Sequence, residues 1–282
     1  MDFDNYKSRP NGIHVTIRPS GRWTWQELSA IWEYRELLLF LTWRDIRVKY
    51  RQALAGLLWV IIQPIATMFI FNIFFSRMMG LKTGGVPYPL FAFSGIVPWL
   101  FFSNAVINSS NSLVGNTNLI TKVYFPRMII PGAAVLAGLV DFLIAMVVVM
   151  IMMLWFDVEL TSQILLLPLL VLLTALMTFG LGMLMAALNV RYRDVRHALP
   201  FLLQLLMFAT PIFYPPNLIP SELAWFVAIN PLSGLIGGYR AALLGQRLDW
   251  AAIALTATIT LIMLIIAFWY FRRTEDIFAD IV

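Results

Sequence analysis

Long apolar runs separated by short polar stretches set the pattern of this chain, falling at 53–76, 88–107, 129–156, 163–188, 199–214 and 250–271. The first holds 24 residues without a charge, and at about 1.5 Å per residue it exceeds the roughly 30 Å hydrocarbon core of a bilayer even with a kink at Pro64. The six runs predict six transmembrane helices and hence an all-α polytopic membrane protein. A coarse division follows: a cytoplasmic arm over 1–52, a transmembrane domain over 53–273 and a short cytoplasmic tail over 274–282.

The segment that leads into the first run has a different period. Leu39, Trp43, Ile46, Tyr50, Ala53 and Leu57 recur at spacings of four and three and share one helical face, with Arg44, Arg47 and Arg51 in a stripe beside it. This is the layout of an amphipathic helix lying in the membrane surface, with its apolar face at the acyl boundary and its cations toward anionic head groups, each worth about 1 kcal/mol. Trp43, Arg44, Arg47, Tyr50 and Arg51 are its candidate lipid contacts. Upstream, Trp23, Trp25 and Trp32 suit either the interface or the protein's own cytoplasmic face. No apolar stretch of the signal-peptide kind follows the first residues.

Gly95 and Pro98 interrupt the second run, so this helix is expected to face protein more than lipid. The sequence after it, through NSSNSLVGNTNLITK, looks too polar to span and predicts one short helix over 113–122 outside the bilayer. The third run carries Asp141, the one ionisable residue within the six runs. A carboxylate at that depth must be paired, protonated or wet, and a helix-bonding role is expected. Ala133/Ala137 and Ala134/Gly138 place small residues four apart for close helix contact, and Gly180, Gly182 and Ala186 mark the fourth run as a packing helix. Between the fifth and sixth runs, 223–240 is uncharged up to Arg240 but interrupted by Pro231 and three glycines. Short re-entrant or external surface helices are predicted there. Arg272 and Arg273 end the last run.

Composition narrows the class. With 60% hydrophobic and 12% charged residues and a mean hydropathy of +0.80, the chain is far from the roughly 25% charged content of soluble domains. Its net charge of +5 comes mostly from loops beside the apolar runs, which speaks for membrane orientation and against nucleic acid. On alternate sides the Lys plus Arg count is 16 against 4, which places both termini in the cytoplasm. The absence of cysteine and the presence of only two histidines argue against thiol, zinc and iron chemistry. No phosphate loop, nucleophile–histidine–acid set or carboxylate pair at one depth is present, so no catalytic residue is assigned and energy for any transport must come from another chain.

In order along the sequence, RDIRVKY before GLLWVIIQP, SGIVPWLFFSNAV, NLITKVYFPR, NVRYRDVRH, TPIFYP and INPLSGLI resemble the membrane subunits of ABC-2 type exporters. The likeness is to those that move lipid-linked polysaccharides such as O antigen, capsule or wall teichoic acid, and it extends over 38–273. Ala55 stands where that family often has Leu. The resemblance implies a homodimer in the bacterial cytoplasmic (inner) membrane, two copies of a separate ATP-binding cassette subunit that holds ATP and Mg, and a channel between the permeases. It further implies a cytoplasmic coupling helix in the loop after the second run, which gives Leu113, Asn118, Leu119, Lys122 and Arg127, with Arg193 and Asp194 nearby, as candidate ATPase contacts. Transport of a drug or lipid, or a membrane glycosyl or lipid transferase, are the alternatives, the last disfavoured because the loop acids do not cluster.

Ten aromatics gather near the external side of three runs: Phe69, Phe71, Phe74, Phe75, Tyr88, Phe91, Phe93, Phe208, Phe213 and Tyr214. An interfacial belt favours Trp and Tyr, whereas this set is eight Phe and two Tyr. Flat apolar rings suit the C–H faces of sugars and a wall that holds a sliding polymer only weakly, so these ten are candidates for the substrate path.

The topology is directly testable because there is no native cysteine. Single cysteines at Lys82, Glu159 and Glu222 are expected to react with an impermeant maleimide in intact cells, and those at Lys122, Arg193 and Thr274 only after lysis. Reversal at any pair breaks the arrangement.

Overall fold

The computed structural model describes residues 32–51, 56–78, 80 and 85–281; the arm carrying Trp23 and Trp25, and the junction with Ala53 and Ala55, lie outside them. Among the described residues all regular structure is helical. The helices are α1 (Arg35–Arg51), α2 (Gly56–Phe71, continued by a π-helical turn Asn72–Met78), α3 (Tyr88–Gly115), α4 (Thr117–Lys122), α5 (Ile129–Trp155) and α6 (Leu167–Arg191). There follow α7 (Val195–Ala209), α8 (Ala224–Ile229), α9 (Pro231–Leu244) and α10 (Trp250–Ile281). Among the described residues four helices are long and apolar enough to cross a membrane: α3, α5, α6 with the 3-10 turn before it, and α10. The first and fifth runs form shorter apolar helices, α2 having 16 residues before its π-helical turn and α7 having 15.

α3 is the centre of the molecule. In its most apolar stretch 83% of residues are buried, against 28%, 28% and 22% for the corresponding stretches of α5, α6 and α10. Its helix passes unbroken through Gly95 and Pro98 and runs to Gly115, well past the end predicted near residue 107. The polar sequence that suggested an earlier stop is accommodated because neighbouring helices, not lipid, surround it. Ser109 Oγ donates to Pro131 O at 3.4 Å and Ser110 Oγ to Met185 O at 3.4 Å. Asn111 Nδ2 donates to Ile107 O at 2.9 Å, and Asn189 of α6 donates to Ser110 O at 2.9 Å. With Ser109, Ser110 and Asn111 satisfied, this part of the polar stretch carries little penalty. The short helix after α3 is consequently α4 alone, Thr117–Lys122, and Leu113 belongs to the buried end of α3.

Small residues set the close approaches predicted for them. A Cβ on Gly138 would lie 3.0 Å from Ala105 Cβ, and one on Gly182 would meet Ser109 Oγ at 2.5 Å, so α3 touches α5 and α6 at backbone distance. The stretch 231–244 is not surface structure. α9 is a 14-residue helix buried along most of its length, capped by Asn230, whose Oδ1 accepts from Leu232 N at 3.1 Å, and closed by Gly245 at φ 65°. At about 21 Å it is too short to cross, as predicted, but its cover comes from α3, α6 and α10.

Two further predictions change. α10 continues past Arg272 and Arg273 to Ile281, because Phe271 and Phe278 lie on one face and join one core cluster with Ile120, Phe125 and Met128, with Thr274 buried between them. Arg127 Nη1 donates to Glu275 O and its backbone N to Glu275 Oε1 at 3.1 Å. A separate tail over 274–282 is thus replaced by a helical extension, and the buried Thr274 is a poor labelling position beside the exposed Arg273. The second change concerns α1, whose protein-facing stripe is Tyr34, Leu37, Leu38, Leu41 and Thr42, lying along α5. Leu38 covers Gly132 while Lys49 and Tyr50 bond Asp141, so α1 follows α5 along its length and does not lie across it. The predicted apolar face splits: Leu39 and Trp43 are exposed, Ile46 and Tyr50 half-buried.

Gly182→Val places two methyl groups where Ser109 already sits. It is expected to lower the thermal midpoint of the purified protein by an amount corresponding to about 1–3 kcal/mol, with Gly237→Ala, which faces open space, as the neutral control.

Candidate functional site

The sequence-predicted residues fall into three places. Around α4, Asn118 and Lys122 are exposed, Leu119 and Arg127 half-buried, and Leu113 buried. Arg191, Arg193, Asp194, Arg196 and His197 are exposed on the turn into α7. A cleft of 740 Å³ brings these regions together: Thr117 at the head of α4 and Asn111 and Gly115 of α3 face Asn189, Arg193, Arg196 and His197. Its lining carries two arginines and no acid, which makes it a cationic recess.

Asp141 is paired, as its depth requires. It sits twelve residues into α5, about 18 Å along the helix, and accepts from Lys49 Nζ and Tyr50 Oη of α1. Burial, and then the Asp141 carboxylate, push the Tyr50 phenol up from its ordinary value, so it remains an O–H donor. Arg44 instead pairs with its neighbour Asp45 at 2.8 Å, while Trp43, Arg47 and Arg51 point outward from α1. Asp141 is therefore a bond between helices.

Of the ten aromatics, five form one chain of rings across α2, α3 and the turn after α7. Phe71 stacks on Phe213 with centroids 3.5 Å apart, Phe75 is 5.8 Å from Phe71, Tyr88 is 6.5 Å from Phe75, and Phe91 is 6.2 Å from Tyr88. Tyr88 Oη donates to Phe213 O at 2.9 Å. Phe93 is fully buried elsewhere, among Val97, Phe101 and Tyr239. Tyr88, Phe91 and Phe213 are buried as well, whereas Phe69, Phe74 and Phe208 are each more than half exposed. Tyr214 is half-buried and donates to Phe208 O at 2.9 Å.

One residue of this cluster was counted with the external loops and belongs instead to the interior. Arg240 on α9 is 3% exposed. Its guanidinium lies 3.6 Å from the centre of the Phe91 ring, and it donates through Nη1 to Pro211 O at 2.7 Å and through Nη2 to Ile212 O. No carboxylate pairs with it among the described residues. Two carbonyls freed where α7 ends, and the negative face of an aromatic ring, take that place. Gly95 makes the room, since a Cβ there would lie 3.0 Å from Arg240 Nη2. The available sequence signal was a lone arginine on a glycine-bearing apolar stretch, and Asn189 likewise stood alone at the end of an apolar run.

This arrangement, a buried central helix with short helices at its flanks and a cationic recess, is that of a multi-pass membrane protein with no assembled catalytic set among the described residues. The chain belongs to the ABC-2 type transporter family, which it matches over residues 36–244. Over 256 residues it is 30% identical to the O-antigen export system permease protein RfbA of Myxococcus xanthus, covering 90% of this chain and 98% of that protein. It is 26% identical over 247 residues to the RfbA permease of Klebsiella pneumoniae, covering 87% and 95% respectively. To the polysialic acid transport protein KpsM of Escherichia coli it is 25% identical over 242 residues, covering 84% and 92%.

The Lys49–Asp141 link gives a test of its own. Lys49→Met and Asp141→Leu are each expected to lower the thermal midpoint in lipid nanodiscs, on the order of 1 kcal/mol for a partly exposed pair, and the double variant to recover most of that loss. Single variants that melt like the wild type would show that the pair does not hold α1.

Proposed function

We propose that this chain is the membrane-path subunit of an ABC exporter that carries a lipid-linked polysaccharide of the O-antigen, capsule or teichoic-acid kind across the bacterial inner membrane. The observation that carries this is the near end-to-end likeness to permeases named for O-antigen export, which leaves no extra domain of those relatives unmatched. ATP and Mg²⁺ belong to a separate ATP-binding subunit present in two copies. Its docking surface is the exposed side of α4 with the recess beside it, through Asn118, Leu119, Lys122, Arg127, Arg193 and Asp194. The recess supports this reading because it joins the loop after α3 to the turn before α7, so a push from one partner reaches both.

Two copies of the chain form the pathway, with six spans each and both termini in the cytoplasm. α2 and α7, too short to stand alone in a bilayer, leave Trp59, Ile62, Phe69, Phe201, Leu205 and Phe208 largely uncovered, which fits helices completed by a second protomer. In this arrangement the exposed Phe69, Phe74 and Phe208 line the path, and the stacked Phe71, Phe75, Tyr88, Phe91 and Phe213 form the wall behind them, with Phe93 and Tyr214 at its margins.

Deletion of the gene is expected to remove the surface polysaccharide and leave lipid-linked polymer inside the cell. Wild-type protein should restore display, and Leu119→Pro should insert at normal levels without restoring it. Phe74→Leu and Phe208→Leu should reduce display at unchanged thermal stability, whereas Phe91→Leu and Phe213→Leu should lower stability. Undiminished display in the deletion strain would refute the export assignment.

A further inference from the structure

Between α1, α2, α3 and α5 runs a groove made of two cavities, of 130 and 640 Å³, that share Lys49, Asn108, Gly138 and Asp141 in their walls. Trp59 and Gln63 stand four apart on α2, and Asn104 and Asn108 four apart on α3, so each pair presents one helical face, and all four line the smaller cavity. The side chains of Gln63, Asn104 and Asn108 are exposed to the groove and have no hydrogen-bond partner among the described residues. Asn104 and Asn108 lie well inside a 28-residue apolar helix, and in hydrocarbon three free amides would carry a cost of a few kcal/mol each. Such positions call for a polar occupant.

The charges of the groove identify its kind. Lys49 is taken by Asp141 and Arg44 by Asp45, so the lining is close to neutral and offers amides that both donate and accept. Beside them are the flat rings of Trp59 and Phe101. Amides match the paired donor and acceptor character of hydroxyl groups, and aromatic planes match the C–H faces of a sugar ring; an anion would find no uncommitted cation here.

We propose that this groove is a loading site for neutral sugar units of the exported chain, held by Gln63, Asn104 and Asn108 against Trp59 before they reach the path between protomers. The site rests on the export function argued above and adds a binding step to it. It also explains why α2 stays loosely packed on its neighbours, since tight packing would close the groove.

The test uses full-length permease in nanodiscs, with oligosaccharides cut by mild acid from the strain's own surface polymer as one probe and inorganic pyrophosphate as the other. Asn104→Leu/Asn108→Leu removes two unpartnered amides without removing bulk, so its thermal midpoint should match or exceed that of the wild type. Saturation-transfer binding of the oligosaccharide should weaken about tenfold, as expected for two lost hydrogen bonds, and pyrophosphate should not compete. Equal binding by variant and wild type, no binding by either, or displacement by pyrophosphate would each overturn the assignment. In cells, a deletion strain that loses its polymer while the double variant displays it at the wild-type level refutes the groove alone. A deletion strain that keeps its polymer refutes export and the loading site with it.

Discussion

Inside a bilayer a polar group needs a partner other than lipid, and the burial of α3 supplies one to its serines and to Asn111. A helix with Ser103, Asn104, Asn108, Ser109, Ser110, Asn111 and Ser112 in its C-terminal half could not face lipid on all sides. Packed on α5 and α6, it bonds Ser109 and Ser110 to carbonyls of those helices, Ser112 to its own Ser109 carbonyl, and offers the Ser110 carbonyl as acceptor to Asn189. The small residues follow from this: only Gly138 and Gly182 let the neighbours come close enough for such short side chains to be covered. α5, α6 and α10 can then give most of their outer surface to lipid, as their low burial shows.

Two ions at depth are neutralised in different ways, and each ties a peripheral element to this core. Asp141 takes a cation and a phenol from α1, so the entering helix is fastened by charge at its inner end and by Leu38 and Leu41 at its outer one. Arg240 has no acid. It uses main-chain carbonyls that α7 cannot bond itself once Pro211 ends it, and thereby fixes the TPIFYP turn over Phe91. A removed Arg240 would strand those carbonyls as well as the ring, which makes one side chain the keystone of that end of the molecule.

Periodicity and length made the long helices legible. The runs near 129–156, 163–188 and 250–271 reappear as α5, α6 and α10, and the spacing of Ala134/Gly138 and of Gly182/Ala186 announced real contacts. Hydropathy misjudged elements whose environment is protein. It ended α3 too soon because it scored serines as if they met lipid, ended α10 at its arginines because it could not see Phe278 packing on Phe271, and sent Arg240 to a loop because a buried arginine without an acid has no local signature. For the aromatics, composition told that they cluster but not which faces are open; that depends on where α2 and α7 lie against α3.

The division between a rigid and a loose part has a mechanical consequence. α3, α5, α6, α9 and α10 interlock through glycines and buried hydroxyls, and such a body moves as a unit. α2 touches it by few buried side chains, chiefly Pro64 and the Phe71 and Phe75 rings, and its far end is a π-helical turn, a form that costs backbone order and is kept where helices must adjust. A polymer of repeating units cannot be passed by a site that closes around one of them; it needs a wall that yields and re-forms as each unit goes by. On the export reading proposed above, α2 carries the amide-lined groove on one face and the exposed Phe69 on another, so a sugar chain held in the groove would pass along this loosely packed helix, while the α4 recess stays with the interlocked helices.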